Sequence, residues 1–166
     1  MGDDVSLSID TRVDGGDWPS PVMLDHLSTT ALRAAAATQD LPEGAEVSIL
    51  FTDDEAITRL NGAYRGKPKP TNVLSFAANE GNGPAMPLLG DIVLALETIT
   101  REAMEQGKRF DDHLSHLLIH GFLHLLGHDH ETGEADAQAM EALETRILAG
   151  IGIADPYAET ASERVA

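Results

Sequence analysis

Six of the seven histidines of this chain lie between positions 113 and 130, at His113, His116, His120, His124, His128 and His130. Imidazole is both a common metal ligand and a proton carrier near neutral pH, so this crowding calls for a chemical reason. His116, His120 and His124 are spaced i, i+4, i+8, which on a helix puts them on one stripe. One ion cannot take all three, because ~1.5 Å of rise per residue separates His116 from His124 by about 12 Å, whereas zinc–nitrogen bonds are about 2.1 Å. Only an adjacent pair can chelate. His120 and His124 are the better pair, since Gly127 follows and lets the chain turn back, bringing His128 or His130 to the open side of the metal.

Residues 120–130 read His-Gly-Phe-Leu-His-Leu-Leu-Gly-His-Asp-His. This spacing matches the H-x-x-x-H-x-x-G-x-x-H pattern that gives metzincin proteases three zinc ligands. Those enzymes carry Glu directly after the first His as general base; here that place is Gly121, so a peptide hydrolase would lack its base. Three neutral imidazoles leave a fourth position for water, the arrangement of catalytic rather than structural zinc, and lower that water's pKa towards about 7. His113, His116 and His128, taken singly, read instead as core residues bonded to backbone carbonyls, and the isolated His26 reads as a surface residue. Asp129 reads equally as a group orienting a ligand and as a cap.

These residues need elements to hold them. Residues 111–126 carry Leu114, Leu117, Leu118, Ile119, Phe122, Leu123, Leu125 and Leu126, which point nearly all round a helical wheel and predict a buried central helix ended by Gly127. Upstream, the alternation Val5, Leu7, Ile9 to Val13 predicts a half-buried strand, residues 19–38 a helix opened by Pro and Ser, and Val47, Ile49, Phe51 a second strand. Thr52 with Glu55 gives a capping-box signature for a short helix to about Tyr64. Residues 65–71, with Pro68 and Pro70, predict an irregular loop; Val73–Ala77 and Ile92–Leu96 predict strands, separated by a Gly-rich loop over 79–90. Glu97–Gln106 and Ala135–Leu148 predict two further helices. The expected architecture is one α/β domain over residues 1–150, with one mixed four-stranded sheet and about five helices, followed by a flexible tail over 151–166.

Composition narrows the chemistry further. The 166 residues include no cysteine, which removes disulfides, iron–sulfur clusters, thiolate zinc sites and a cysteine nucleophile, so any metal must be held by His, Asp or Glu. Neither a signal peptide nor a bilayer-spanning apolar run is evident, and the absence of cysteine fits a reducing cytosol, so a soluble cytoplasmic protein is expected. The net charge of −17 argues against a nucleic-acid partner, yet its distribution argues for one. Residues 1–55 hold 12 acids and 2 bases, residues 110–166 hold 11 and 2, but residues 56–109 hold 5 and 7. Arg59, Arg65, Lys67 and Lys69 fall within eleven residues and mark one place where an anionic partner could be received.

The segment 120–130 resembles the HGxLHLxGxDH signature of the bacterial YbeY endoribonucleases, also called rRNA maturation factors. Leu60-Asn61, Tyr64-Arg65-Gly66-Lys67 and Pro70 to Phe76 are similar to that family's LNxxYRxKxxPTDVLSF stretch, and Leu89-Gly90-Asp91-Ile92 to its LGDIVI strand. Asn72 stands where the family usually has Asp, and His128 where it usually has Tyr. The resemblance implies a zincin-like α/β fold and a zinc ion on His120, His124 and His130. It also implies cleavage of single-stranded RNA in small-subunit rRNA maturation and ribosome quality control, with the small subunit and its assembly factors as partners. Arg65 falls on the family's functionally important arginine. His128 is an alternative third ligand. The expected function is therefore a zinc-dependent endoribonuclease, with Arg65, His120, His124 and His130 as catalytic residues and Arg59, Arg65, Lys67 and Lys69 as RNA contacts. The competing readings are a non-catalytic, metal-braced ribosome assembly factor and a metalloprotease.

Overall fold

The computed structural model describes residues 7–78, 87–128 and 133–158. Four strands, β1 (Leu7–Val13), β2 (Ala45–Thr52), β3 (Val73–Ala77) and β4 (Leu88–Ala95), form one sheet in the order β1-β2-β4-β3. β1, β2 and β4 run parallel and β3 is antiparallel to β4. Five helices complete the described fold: α1 (Pro21–Ala36), α2 (Asp54–Arg65), α3 (Leu96–Gln106), α4 (Phe110–Leu125) and α5 (Glu134–Gly150). This is the mixed four-stranded α/β architecture that the sequence predicts.

The alternation of each strand decides which helices cover which face. Val47, Ile49 and Phe51 of β2 and Ile92 and Leu94 of β4 join Leu24 and Leu32 of α1, Leu114, Leu118 and Phe122 of α4, and Met140, Ile147 and Leu148 of α5 in the main core. On the opposite face Leu74, Val93 and Ala95 pack with Ile57 of α2 in a smaller cluster. β4 is hydrogen-bonded on both sides and covered on both faces, as its aliphatic run demands. α4 contacts α1, α3, α5, β3 and β4, so its all-round apolar surface is accounted for. Burying each such Leu or Phe contributes about 1.5–3 kcal/mol.

Local chemistry sets the helix ends. Ser20 caps α1, accepting the Met23 N–H at 3.2 Å, with Pro21 at the first helical position. The capping box expected at Thr52 is displaced by one residue. Asp53 is the cap, accepting the Ala56 N–H at 2.8 Å, because the Thr52 hydroxyl donates to the Asp14 carbonyl at 2.6 Å and cannot turn to the helix. The Gly-rich loop expected over 79–90 also ends earlier, since β4 already begins at Leu88. Gly90 permits this, with φ +143° and its Cα so close to β3 that a Cβ there would collide with the Phe76 carbonyl. The segment expected to begin a tail at residue 151 is tied down through Tyr157 among the described residues. Ile151 and Ile153 pack against the main core, and the Lys108 ammonium donates to the Pro156 carbonyl at 2.8 Å.

Candidate metal centre

α4 brings histidines to three environments along its length. His113, near its start, is buried and shares a hydrogen bond at 2.9 Å between Nε2 and Oε1 of Glu102 on α3, which also accepts from the Asn72 amide at 2.9 Å. His116, one turn on, is buried against α5, where its Nε2 lies 2.9 Å from Oε1 of Glu144. His120 and His124 stand at the half-buried end of the helix, with ring centroids 4.6 Å apart. The buried partners are carboxylates, not the backbone carbonyls expected from sequence. A carboxylate on another helix can reach an imidazole aimed sideways from α4, whereas the carbonyls of α4 are spent along its own axis.

Glu144 organises the second and third of these environments. Its side chain is fully buried, with Oε1 accepting from His116 and from the Tyr157 hydroxyl and Oε2 lying 2.6 Å from Nδ1 of His120. Burial pushes the Glu144 pKa up, but the hydrogen bonds from His116 and His120 outweigh it and hold the carboxyl down at about 2. Burial pushes His116 down against the opposing pull of Glu144, so the pair is an ionised carboxylate accepting Nε2–H of a neutral imidazole. Burial beside the same carboxylate raises the Tyr157 hydroxyl, which therefore remains a donor.

His116, His120 and Glu144 place ligand-type atoms within 4.8 Å of one another and could hold a metal ion. The distances describe how they stand now. Ligand atoms arranged tetrahedrally about zinc at ~2.1 Å are roughly 3.4 Å apart, whereas 2.6 and 2.9 Å are hydrogen-bond distances with a proton between the atoms. With its Nδ1 committed to Glu144, His120 has Nε2 as its ligand atom towards any ion shared with His124. The donor chemistry of this end of α4 suits a divalent ion: two imidazoles one turn apart, part-exposed, with one ring fixed by a carboxylate.

The end of the helix turns the chain back on itself. α4 stops where Gly127 takes φ +96°, while Gly127 N–H and His128 N–H bond the carbonyls of His124 and Leu123 at 3.1 Å, turning the chain back over the helix end. His128 Nε2 lies 2.9 Å from the Gln39 side-chain oxygen beyond α1. His130, the expected third ligand, and Asp129 lie outside the described residues. Gly121, where metzincins carry their base, faces the sheet: a Cβ there would lie 2.9 Å from Ile92 Cγ2 and 3.1 Å from the Ser75 hydroxyl. That close approach lets the Ser75 hydroxyl donate to the Gly121 carbonyl at 2.9 Å, locking α4 to β3.

The basic residues are placed by α2, on the other face of the sheet from α4. Arg59 is spent in an exposed i,i+4 pair with Glu55 at 3.0 Å. Arg65 ends α2 on the exposed surface, and Gly66 closes the helix with φ +69°. Lys67 and Lys69 are exposed in the following loop, which is pinned by the Asn61 side-chain amide donating to the Lys69 carbonyl at 3.0 Å. Beside them a groove of about 440 Å³, lined in part by Asp10, Arg12, Tyr64 and Asp91, opens on the same face. His26 is exposed on α1, as expected. Sequence reasoning missed Glu144 and Tyr157. A signal for the first exists: Glu144 lies four residues from both Met140 and Leu148 and so sits on the apolar stripe of α5.

Taken together, the fold and site define an α/β protein whose buried helix delivers a pair of imidazoles, one of them oriented by a carboxylate, to its half-exposed end, the build of a candidate metal-binding hydrolase. Residues 19–152 match the family described as Endoribonuclease YbeY. The Endoribonuclease YbeY of Rhodopseudomonas palustris (strain HaA2) is 52% identical over 151 residues, covering 86% of this chain and 77% of that protein. The Endoribonuclease YbeY of Chelativorans sp. (strain BNC1) is 52% identical over 155 residues, covering 92% and 94%. The solution structure of TM1509 from Thermotoga maritima shares the fold, with a TM-score of 0.58 at 24% identity over 86% of each chain. The chain belongs to the YbeY endoribonuclease family.

Proposed function

We propose that this chain is a cytoplasmic, zinc-dependent endoribonuclease that cleaves single-stranded RNA, with His120, His124 and His130 holding one ion. Its proposed substrate is precursor rRNA of the small ribosomal subunit, in maturation and quality control alongside the subunit's assembly factors. One observation carries the reading: His120 and His124 stand one turn apart at the half-buried C-terminal end of α4, with the Nδ1 of His120 already held by a buried carboxylate. Relatives named Endoribonuclease YbeY, 52% identical over most of the chain, supply the reaction class. The engagement of His128 Nε2 with Gln39 favours His130 as third ligand. No helix among the described residues is long and apolar enough to cross a membrane.

When bound, a divalent ion supplies Lewis-acid polarisation of a phosphodiester and eases deprotonation of the attacking hydroxyl. The chain's own groups do the rest. Glu144 fixes the ring of His120, and Arg65, which α2 sets on the other face of the sheet, offers a planar pair of N–H donors to a phosphate of an RNA strand that reaches both faces. Lys67 and Lys69, exposed in a Pro-braced loop, attract the RNA backbone. The crowding around Gly121 leaves no space for a protease base, which disfavours peptide hydrolysis.

The test is cleavage of an end-labelled single-stranded rRNA-precursor oligonucleotide. Zinc-loaded protein should cut it, and chelation or His124→Ala should slow cutting by about 100-fold or more, the loss of several kcal/mol of transition-state stabilisation. A lowered melting temperature in His124→Ala, with the nuclease activity of the purified sample unchanged, would favour the assembly-factor reading, and chelator-sensitive casein cleavage would restore the protease reading. Arg65→Lys should slow turnover by about tenfold at saturating RNA, whereas Lys67→Ala should mainly weaken binding and flatten its salt dependence by about one phosphate contact.

A further inference from the structure

Glu144 does more in this geometry than fill a gap between α4 and α5. Its two oxygens are divided between two histidines one turn apart, and only one of those, His120, lies at the half-exposed end of the helix. His116 and Tyr157 both hold Oε1, so the carboxylate cannot rotate without breaking a buried bond on its far side. Tyr157 is itself anchored: its N–H donates to Asp155 Oδ1 at 2.9 Å, and Lys108 grips the Pro156 carbonyl. Its ring packs edge-on against His116, with centroids 5.3 Å apart. A chain of contacts thus runs from the segment after α5 through Tyr157 and Glu144 to Nδ1 of His120.

Resting on the three-histidine centre, we propose that Glu144 is a positioning residue for metal binding, braced by His116 and by Tyr157 from the segment after α5. Accepting Nδ1–H selects the tautomer of His120 that presents Nε2 as ligand, and the adjacent negative charge makes that imidazole a stronger donor. The brace removes the freedom the ring would lose on binding an ion, so the orientation is set before the ion arrives. Residues 153–158 are therefore part of the metal centre's support, although they lie on a segment that sequence alone reads as a tail.

Cobalt(II) titration of the metal-free full chain tests this, followed by visible absorption and by calorimetry, with wild type, Glu144→Gln, Tyr157→Phe and His124→Ala compared. Glu144→Gln should weaken cobalt binding by about 10- to 100-fold. Tyr157→Phe, which keeps the ring contact and loses only the O–H, should weaken it by a smaller, measurable factor with the metal-free melting temperature nearly unchanged. In metal-free wild type, nitrogen chemical shifts should identify His120 as the Nδ1–H tautomer. Wild-type affinity in Glu144→Gln, or in Tyr157→Phe where Glu144→Gln fails to fold, would overturn the inference while leaving the three-histidine centre standing. Binding that survives His124→Ala would put the ion on His116, His120 and Glu144 and overturn it as well. No binding by wild type would overturn the centre itself.

Discussion

α4 makes two carboxylate–histidine arrangements, and their contrast separates architecture from the candidate chemistry. At its first turn His113 meets Glu102, whose side chain is 27% exposed and which serves one imidazole and the Asn72 amide. In its second half His116 and His120 meet Glu144, which has no exposure and serves two imidazoles and a phenol. The same chemical pair does two jobs. Glu102 lets a polar group be buried between α3 and α4 and stops there. Glu144 links a buried histidine to one that reaches the open end of the helix, so it transmits position outward. Burial separates the two carboxylates, and so does the number of partners each holds and where the last one points.

The largest expected difference is in stability. Glu144→Ala removes the shared acceptor of two histidines and a tyrosine and should cost about 3–5 kcal/mol, whereas Glu102→Ala removes a part-exposed acceptor from His113 and the Asn72 amide and should cost about 1–2 kcal/mol. Urea unfolding of both variants, metal-free, measures this; equal losses would erase the distinction.

Acid sharpens the same comparison. The Glu144 pKa is lowered from 4.5 to about 2 on folding, so its contribution is complete above pH ~4.5 and is lost as pH falls towards 2. A gap of that size corresponds to about 3 kcal/mol. Glu102 is also lowered, by the hydrogen bonds from His113 and Asn72 working against its partial burial, and its contribution disappears in the same direction. Wild-type stability should therefore fall between pH 4.5 and 2. Glu144→Gln should remove most of that slope, and Glu102→Gln less of it, in acid-unfolding curves recorded without metal.

The smallest effect concerns Asn72. As Asn it donates to Glu102, whereas Asn72→Asp would face two carboxylates across the same gap. That should raise the Glu102 pKa and cost about 1 kcal/mol at neutral pH, relieved once acid protonates one of the two carboxylates. Urea unfolding at pH 7 that gives the wild-type stability for Asn72→Asp would contradict it.

Much of this was readable in the residues. The i,i+4 spacing of His120 and His124, the all-round apolar surface of α4 and the stop at Gly127 are local patterns, and local physics carries them. What escaped is set by partners distant in the chain. Thr52 looked like a cap until the Asp14 carbonyl claimed its hydroxyl, and Leu88 to Gly90 looked like a loop until pairing with β2 and β3 overrode the poor strand propensity of Gly90. The place of Glu144 on the apolar stripe of α5 signals its burial, but what α4 sets opposite it is not encoded in that periodicity.

The most direct measurement is an anomalous difference map at the zinc edge from crystals of the zinc-loaded protein. It should contain one peak, bonded at ~2.0–2.1 Å to Nε2 of His120 and to His124 and His130, with Glu144 still hydrogen-bonded to Nδ1 of His120. A peak among His116, His120 and Glu144, or a His120 ring flipped away from Glu144, would contradict the account.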